Sequence, residues 1–258
     1  MKLIILAGGK GTRLSEETIV KPKPLVLVGG KPIIWHIMKH YSHFGVNEFI
    51  ICLGYKGNLI KEYFSNYHLL NSDIEIDTSK NEYKILKKSK DNWKIKLVDT
   101  GENTLTGGRI KKVLKYVKND EYFALTYGDG VSNIDIKKQI KFHKKHKKIV
   151  TMSLVQPPGR FGAVKFKGKV IEKFIEKPQG DGAWVNGGFF ILSPKISHYI
   201  KGLNPIWEQE PLKKLSKKKQ VNGYFHKGFW FAMDTQRDQI YLDGLWGKSK
   251  APWKIWND

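Results

Sequence analysis

The opening of the chain restricts its fold more than any other stretch. Lys2-Leu3-Ile4-Ile5-Leu6 is a short apolar run that passes without interruption into Ala7-Gly8-Gly9-Lys10-Gly11-Thr12-Arg13-Leu14. A buried strand ending in a glycine-rich turn starts an alternating α/β sheet, and ligands of such sheets sit beyond the carboxyl ends of the strands. Glycines 8, 9 and 11 lack Cβ atoms, so the backbone there can take positive φ and bring its amides close to anionic oxygens. A plain strand-to-helix turn uses the same glycines. Cations separate the two readings: Thr12 and Arg13 add a hydroxyl and a fixed guanidinium fork, and Lys21-Pro22-Lys23-Pro24 follows closely. The spacing is neither GxxxxGK[ST] nor GxGxxG. Strand, glycine turn and nearby cations together describe a triphosphate site.

Further along, helical and extended patterns alternate. Apolar spacing predicts a helix over 32–41, a strand over 48–53 and a helix over 57–64, the order of a doubly wound sheet. Residues from about 70 to 100 are polar and lysine-rich. There 74–77 and 94–98 alternate by twos, which predicts an inserted β-hairpin. A helix is expected from near Thr106, a central strand over 122–127 ending in Gly128-Asp129-Gly130, a helix over 135–146 and a strand over 149–155. Segments around 187–192 and 224–230 supply further strands. The expected architecture is one α/β domain over 1–258, a Rossmann-like doubly wound, mostly parallel mixed sheet with that insertion and a C-terminal tail from about residue 240.

Composition narrows the function classes. Hydrophobic content of 40% with 12% aromatics is that of an ordered globular chain. No apolar run approaches the ~20 residues of a membrane span, and no signal peptide precedes the first strand, so a cytoplasmic location and no membrane partner are expected. The single Cys52 lies in the apolar run 49–53 and reads as a buried, inert thiol. Forty-six Lys and Arg against 24 Asp and Glu give a net charge of +22. These lysines are spread along the chain without a base-stacking aromatic motif, which argues for solvated helix faces and against a nucleic-acid partner. A positive field also favours encounter with anionic substrates. His36, His40, His43, His143, His146 and His198 show no metal-ligand spacing and read as structural or solvated.

The segment from Leu6 to Leu14 with Lys21-Pro22-Lys23-Pro24 resembles the signature of the sugar-1-phosphate nucleotidyltransferases. One departure is Ser15-Glu16-Glu17-Thr18, where many members carry a proline soon after the Arg-Leu pair. That variant and the later motifs are similar to the glucose-1-phosphate cytidylyltransferase branch, and the resemblance runs to the Ala251-Pro252-Trp253-Lys254-Ile255-Trp256 tail. It implies a GT-A-like nucleotidyltransferase fold and transfer from CTP to α-D-glucose 1-phosphate, giving CDP-glucose and pyrophosphate. It also implies Mg²⁺ as cofactor, a homo-oligomer, and a product that enters dideoxysugar and O-antigen synthesis.

By the same resemblance, the backbone of Leu6, Ala7, Gly8, Gly9, Lys10, Gly11 and Thr12 holds the nucleotide, while Arg13 and Lys23 neutralise charge on the leaving pyrophosphate. Thr104 and Arg109, in Thr104-Leu105-Thr106-Gly107-Gly108-Arg109, are assigned to CTP, and Gly128 to the nucleotide beside the metal. An exposed loop opening a helix capped by Thr106 is the alternative for that segment. Asp129 and Asp234 each end an apolar stretch. Read alone, each also suits a turn or helix cap; the resemblance implies that both bind Mg²⁺, which takes one or two carboxylates with phosphates and waters. Glu176 and Lys177, in Phe174-Ile175-Glu176-Lys177-Pro178, match the element that binds sugar hydroxyls and phosphate, with Gly162 and Asn186 at further matching positions. Three readings stay open beside this one: a thymidylyl-, uridylyl- or guanylyltransferase, a non-catalytic sugar-nucleotide sensor, and a basic nucleic-acid binder. Arg13, Lys23, Asp129 and Asp234 together argue against the sensor.

Overall fold

The computed structural model describes the chain except for residues 12–13, 15–17, 88–89, 160–161, 177–182 and 258. Its centre is a seven-stranded sheet. In chain order the strands are β1 Lys2–Leu6, β2 Glu48–Leu53, β3 Lys94–Asp99, β4 Phe123–Tyr127, β5 Val150–Val155, β6 Val185–Leu192 and β7 Val221–Phe225. They lie in the order β7-β5-β6-β4-β1-β2-β3. Pairing is parallel between β1 and both β2 and β4, between β2 and β3, and between β5 and β7. Only β6 runs antiparallel to its neighbours β5 and β4. The sheet is therefore mixed and mostly parallel.

Both faces of the sheet are covered, which is why β1 is a continuous apolar run rather than an alternating one. Successive side chains of β1 point to opposite faces. Leu3 and Ile5 join Ile37, Tyr41, Phe49 and Phe189 in one core, while Ile4 and Leu6 join Ile110, Phe123, Phe190 and Trp207 in the other. The helix Ile33–His43 serves the first core and the helix Thr106–Val113 the second. Cys52 lies in the second core, where burial pushes its thiol up to about 12. It is the inert thiol that its apolar run predicts.

The insertion needs a correction. The hairpin pairs Asp73–Asp77 with Glu82–Lys87, whereas 94–98, read as part of it, belongs to β3, the edge of the main sheet. An edge strand covered on one side alternates just as a hairpin does: Ile95 and Leu97 pack against the core, and Lys94 and Lys96 point outward. Periodicity of two does not distinguish them.

The C-terminal segment closes the molecule against its own beginning. Trp253 is 1% and Trp256 6% exposed, and with Trp35, Trp246 and the ring of His36 they form a cluster of edge-to-face contacts. His36 Nε2 lies 2.8 Å from the Val28 carbonyl, which can only accept, and Trp253 Nε1 donates to His36 Nδ1 at 3.3 Å. Both bonds are met only by the neutral ring with its hydrogen on Nε2. Burial pulls His36 and His143 down to about 4 and His40 to about 3. In the unfolded chain these rings titrate near 6.5. The neutral rings therefore contribute stability above that pH, and it is lost as pH falls towards their folded values, on the order of 1 kcal/mol per pH unit for each ring. Urea midpoints measured from pH 7 to pH 5 should fall steadily; a constant midpoint would show that the folded chain takes up those protons.

Candidate active site

A cleft of about 400 Å³ opens beyond the carboxyl ends of β1 and β4. Of the residues singled out in the sequence, Leu6, Ala7, Gly8, Gly9, Gly11, Lys23, Thr104, Arg109, Gly128, Asp129 and Asp234 line it. The glycine loop is shaped from both sides. Ala7 N–H continues the ladder to the Cys52 carbonyl at 3.1 Å, and Gly128 N–H donates to the Leu6 carbonyl at 3.0 Å. Gly11 has a φ of 64°, the left-handed region where glycine carries no Cβ penalty. Among the described residues, the amides of Gly8, Gly9, Lys10 and Gly11 have no acceptor. A run of amides without a partner among the described residues, beside an open cleft, is suited to bind an anion. Lys10 itself points away from the cleft lining, 3.6 Å from Glu102 with both side chains largely exposed. Thr12 and Arg13 lie outside the described residues.

Arg109 is 4% exposed, and its two terminal nitrogens donate to five oxygens of the chain. They are the carbonyls of Leu53, Gly101, Gly8 and Glu102 and the hydroxyl of Thr100, at 2.7–3.0 Å. Gly8 must be glycine for this reason: a Cβ there would stand 2.2 Å from Arg109 Nη1. The guanidinium ties the loop after β1 to the end of β2 and to the loop after β3. Thr104 is similarly committed, donating to the Thr100 carbonyl at 2.5 Å. Thr106 does not cap the following helix, which has Leu105 at its N-cap with no side-chain bond.

Across the cleft, Lys23 Nζ donates to Asp129 Oδ2 at 2.6 Å and to Asp234 Oδ1 at 2.7 Å. Pro22 and Pro24 hold Lys23 in a single 3₁₀ turn. The two aspartates are brought together by a short ladder in which Gly130–Ser132 pairs antiparallel with Trp230–Ala232, extended by the bond from Met233 N–H to the Asp129 carbonyl at 2.9 Å. Neither carboxylate is spent as a helix cap. Thr235 is the cap of Gln236–Gly247, in a capping box with Asp238, and Asp238 Oδ2 accepts from the Asp234 amide at 2.9 Å. Burial alone would lower the Lys23 ammonium; the Asp129 charge and hydrogen bonds to both aspartates outweigh it and raise its pKa, so it is cationic through neutral pH.

On the remaining wall, Tyr127 and Thr106 line the cleft, and neither was singled out as a site residue in the sequence. Both donate to Glu208, which the sequence reading also missed: Tyr127 Oη to Oε1 at 2.5 Å and Thr106 Oγ1 to Oε2 at 2.7 Å. Asn186 Nδ2 donates to Tyr127 Oη at 3.2 Å and so joins the same chain of bonds. Gly162 and Glu176 flank the hairpin of Ala163–Lys167 and Val170–Ile175; a Cβ on Gly162 would lie 3.2 Å from Glu176 Oε2. They are neighbours, outside the cleft lining. Lys177 lies outside the described residues.

A family model described as nucleotidyl transferase matches residues 2–257. The chain belongs to that family. This nucleotidyl transferase is 55% identical over 256 residues to the glucose-1-phosphate cytidylyltransferase of Salmonella typhimurium, covering 99% of this chain and 100% of that protein. Its fold is similar to that of HddC from Yersinia pseudotuberculosis complexed with GMP-PN, with a TM-score of 0.66 at 24% identity over 95% of this chain and 99% of that one. Apo UDP-glucose pyrophosphorylase aligns with a TM-score of 0.68 at 18% identity, over 96% of this chain and 98% of the other. These structural likenesses establish the nucleotidyltransferase fold.

Asp129 and Asp234 converge on one point, now taken by the ammonium of Lys23. Among the described residues, no three His, Cys, Asp or Glu side chains gather as a cage for a metal ion. Two oxygen-donor carboxylates beside an anion-binding loop suit Mg²⁺, which keeps waters and takes phosphates as its other ligands. Among the described residues no helix is long and apolar enough to cross a membrane.

Proposed function

We propose that the cleft transfers the cytidylyl group of CTP to α-D-glucose 1-phosphate, forming CDP-glucose and pyrophosphate with Mg²⁺ as cofactor. The full-length 55% identity to the Salmonella typhimurium enzyme carries this reading, and the lining of the cleft supports it.

A phosphate oxygen of the sugar phosphate forms a bond to the α-phosphorus of CTP, and the bond from that phosphorus to the pyrophosphate oxygen breaks in line. A phosphate monoester is already ionised at pH 7, so the attack needs no general base. Catalysis then rests on positioning and electrostatic stabilisation. The amides of Gly8, Gly9 and Gly11 donate to the triphosphate, and Lys23 neutralises charge growing on the leaving group. Arg13, by its place in the motif, does the same. Asp129 and Asp234 hold Mg²⁺, which when bound offsets the repulsion between the two anionic substrates. Lys23 gives up its carboxylate partners for phosphate oxygens, a change of acceptor that leaves its charge intact. Thr104 and Gly128 lie against the nucleotide, and Arg109 serves it by fixing the loop. Gly162, Glu176, Lys177 and Asn186 receive the sugar phosphate.

The reading extends, by family resemblance, to an assembly of identical cytoplasmic subunits whose product feeds dideoxysugar and O-antigen synthesis. Light scattering of the purified protein checks the assembly. Pyrophosphate release with glucose 1-phosphate and Mg²⁺, compared across CTP, dTTP, UTP and GTP, checks the reaction, and CTP should give the highest kcat/KM. A preference for another nucleotide would keep the chemistry and move the base; no release with any sugar 1-phosphate would favour the sensor.

A further inference from the structure

We propose that Glu208 is a positioning residue for the sugar phosphate: it fixes the hydroxyls of Tyr127 and Thr106 so that this wall of the cleft offers acceptors to sugar hydroxyls. The inference rests on the transferase reading above and names a residue that no motif assigns to it.

The direction of each bond carries the argument. A carboxylate only accepts, so both Tyr127 Oη, at 2.5 Å, and Thr106 Oγ1, at 2.7 Å, turn their hydrogens onto Glu208. Each hydroxyl oxygen takes one further donor from the chain: Asn186 Nδ2 on Tyr127 at 3.2 Å and Trp207 N–H on Thr106 at 2.9 Å. Their hydrogens are spent, and what they retain for a ligand in the cleft is lone-pair density. Hydroxyl hydrogens of a hexose match it; a ligand group that only accepts does not.

Packing holds this polarity in place. The Tyr127 ring lies against Gly188, where a Cβ would come within 2.5 Å of Cδ2, and meets Phe190 edge to face at 6.1 Å. Burial and the neighbouring Glu208 charge raise the Tyr127 phenol, which keeps its hydrogen. Trp207, beside Glu208, is fully buried, so the backbone that presents the carboxylate is anchored in the core. The cleft end with Lys23, Asp129 and Asp234 is occupied by charged groups suited to phosphate. The Tyr127 and Thr106 wall offers acceptors instead, and Tyr127 Oη is held by Asn186. Of the groups that enter the proposed reaction, the hexose carries the most hydroxyl hydrogens and is the one assigned to this wall.

Glu208→Gln tests the proposal, because an amide can accept from only one of the two hydroxyls and must donate towards the other. In the wild type, KM for glucose 1-phosphate and for CTP is measured first, with a panel of monodeoxyglucose 1-phosphates. The variant should raise KM for glucose 1-phosphate about tenfold, the worth of a hydrogen bond, with KM for CTP changed less than about twofold. At least one monodeoxy analogue penalised by the wild type should lose its penalty in the variant. Tyr127→Phe, which removes one hydroxyl and keeps the ring, gives the same split should Glu208→Gln fail to fold. Parallel rises in both KM values, or an unchanged panel, would overturn the positioning role. A wild type that uses CTP and another sugar 1-phosphate would instead overturn the sugar assignment above, and the same split would then be read with that sugar.

Discussion

Asp129→Asn and Asp234→Asn are each expected to lower kcat by about 10³-fold or more while the melting temperature stays near that of the wild type. An amide keeps the size of the carboxylate and can still accept from Lys23, which bonds Asp129 at 2.6 Å and Asp234 at 2.7 Å. The ladder that carries the two residues is built from backbone bonds and does not depend on their charge. What disappears is the paired negative charge proposed to hold Mg²⁺. Kinetics at rising Mg²⁺ together with a thermal melt separate the two effects. Turnover near the wild-type rate in both variants, at ordinary Mg²⁺, would remove the metal assignment.

Arg109→Lys should be the most destabilising single change at the site. Lysine has three hydrogens on one nitrogen and cannot span the five oxygens that the guanidinium reaches. Buried acceptors left without a donor put the cost on the order of 3–5 kcal/mol. The glycine loop loses its brace at the Gly8 carbonyl, so affinity for CTP should fall as well. Gly8→Ala should approach the same outcome from the other side, because its Cβ would enter the guanidinium at 2.2 Å. Urea unfolding and calorimetric titration with CTP measure both consequences. A lysine variant with the wild-type midpoint and the wild-type CTP affinity would show that the arginine braces nothing.

Elements whose patterns are set by neighbours in sequence were legible before folding. β1 reads as a buried strand because it is covered on both faces, and the glycine loop and the helix Ile33–His43 follow from local spacing. Asp234 was ambiguous on its own, yet Thr235-Gln236-Arg237-Asp238 is a capping-box pattern that names Thr235 as the cap and frees Asp234. β3 was misplaced because a half-covered edge and a free hairpin alternate alike. Arg109 reads in the sequence as a cation beside a glycine pair, and spacing does not reveal that five oxygens of the chain itself surround it. Glu208 sits in a segment without periodicity, and its partners Tyr127 and Thr106 become neighbours only through the tertiary fold. Hydrogen-bond direction is a property of that fold and has no sequence pattern.

The ladder between Gly130–Ser132 and Trp230–Ala232 has a consequence for the order in which the molecule becomes competent. It is three residues long on each side, with fewer bonds of its own than the five- and six-residue pairings of the main sheet, so it is expected to close after them. Until it closes, Asp129 and Asp234 belong to separate regions and Lys23 has no pair of acceptors. During refolding, the sheet signal should therefore return before turnover does. Turnover thus reports whether the last part of the chain has reached its place, and a molecule whose sheet is complete but whose ends have not met is folded by spectroscopy and silent by assay.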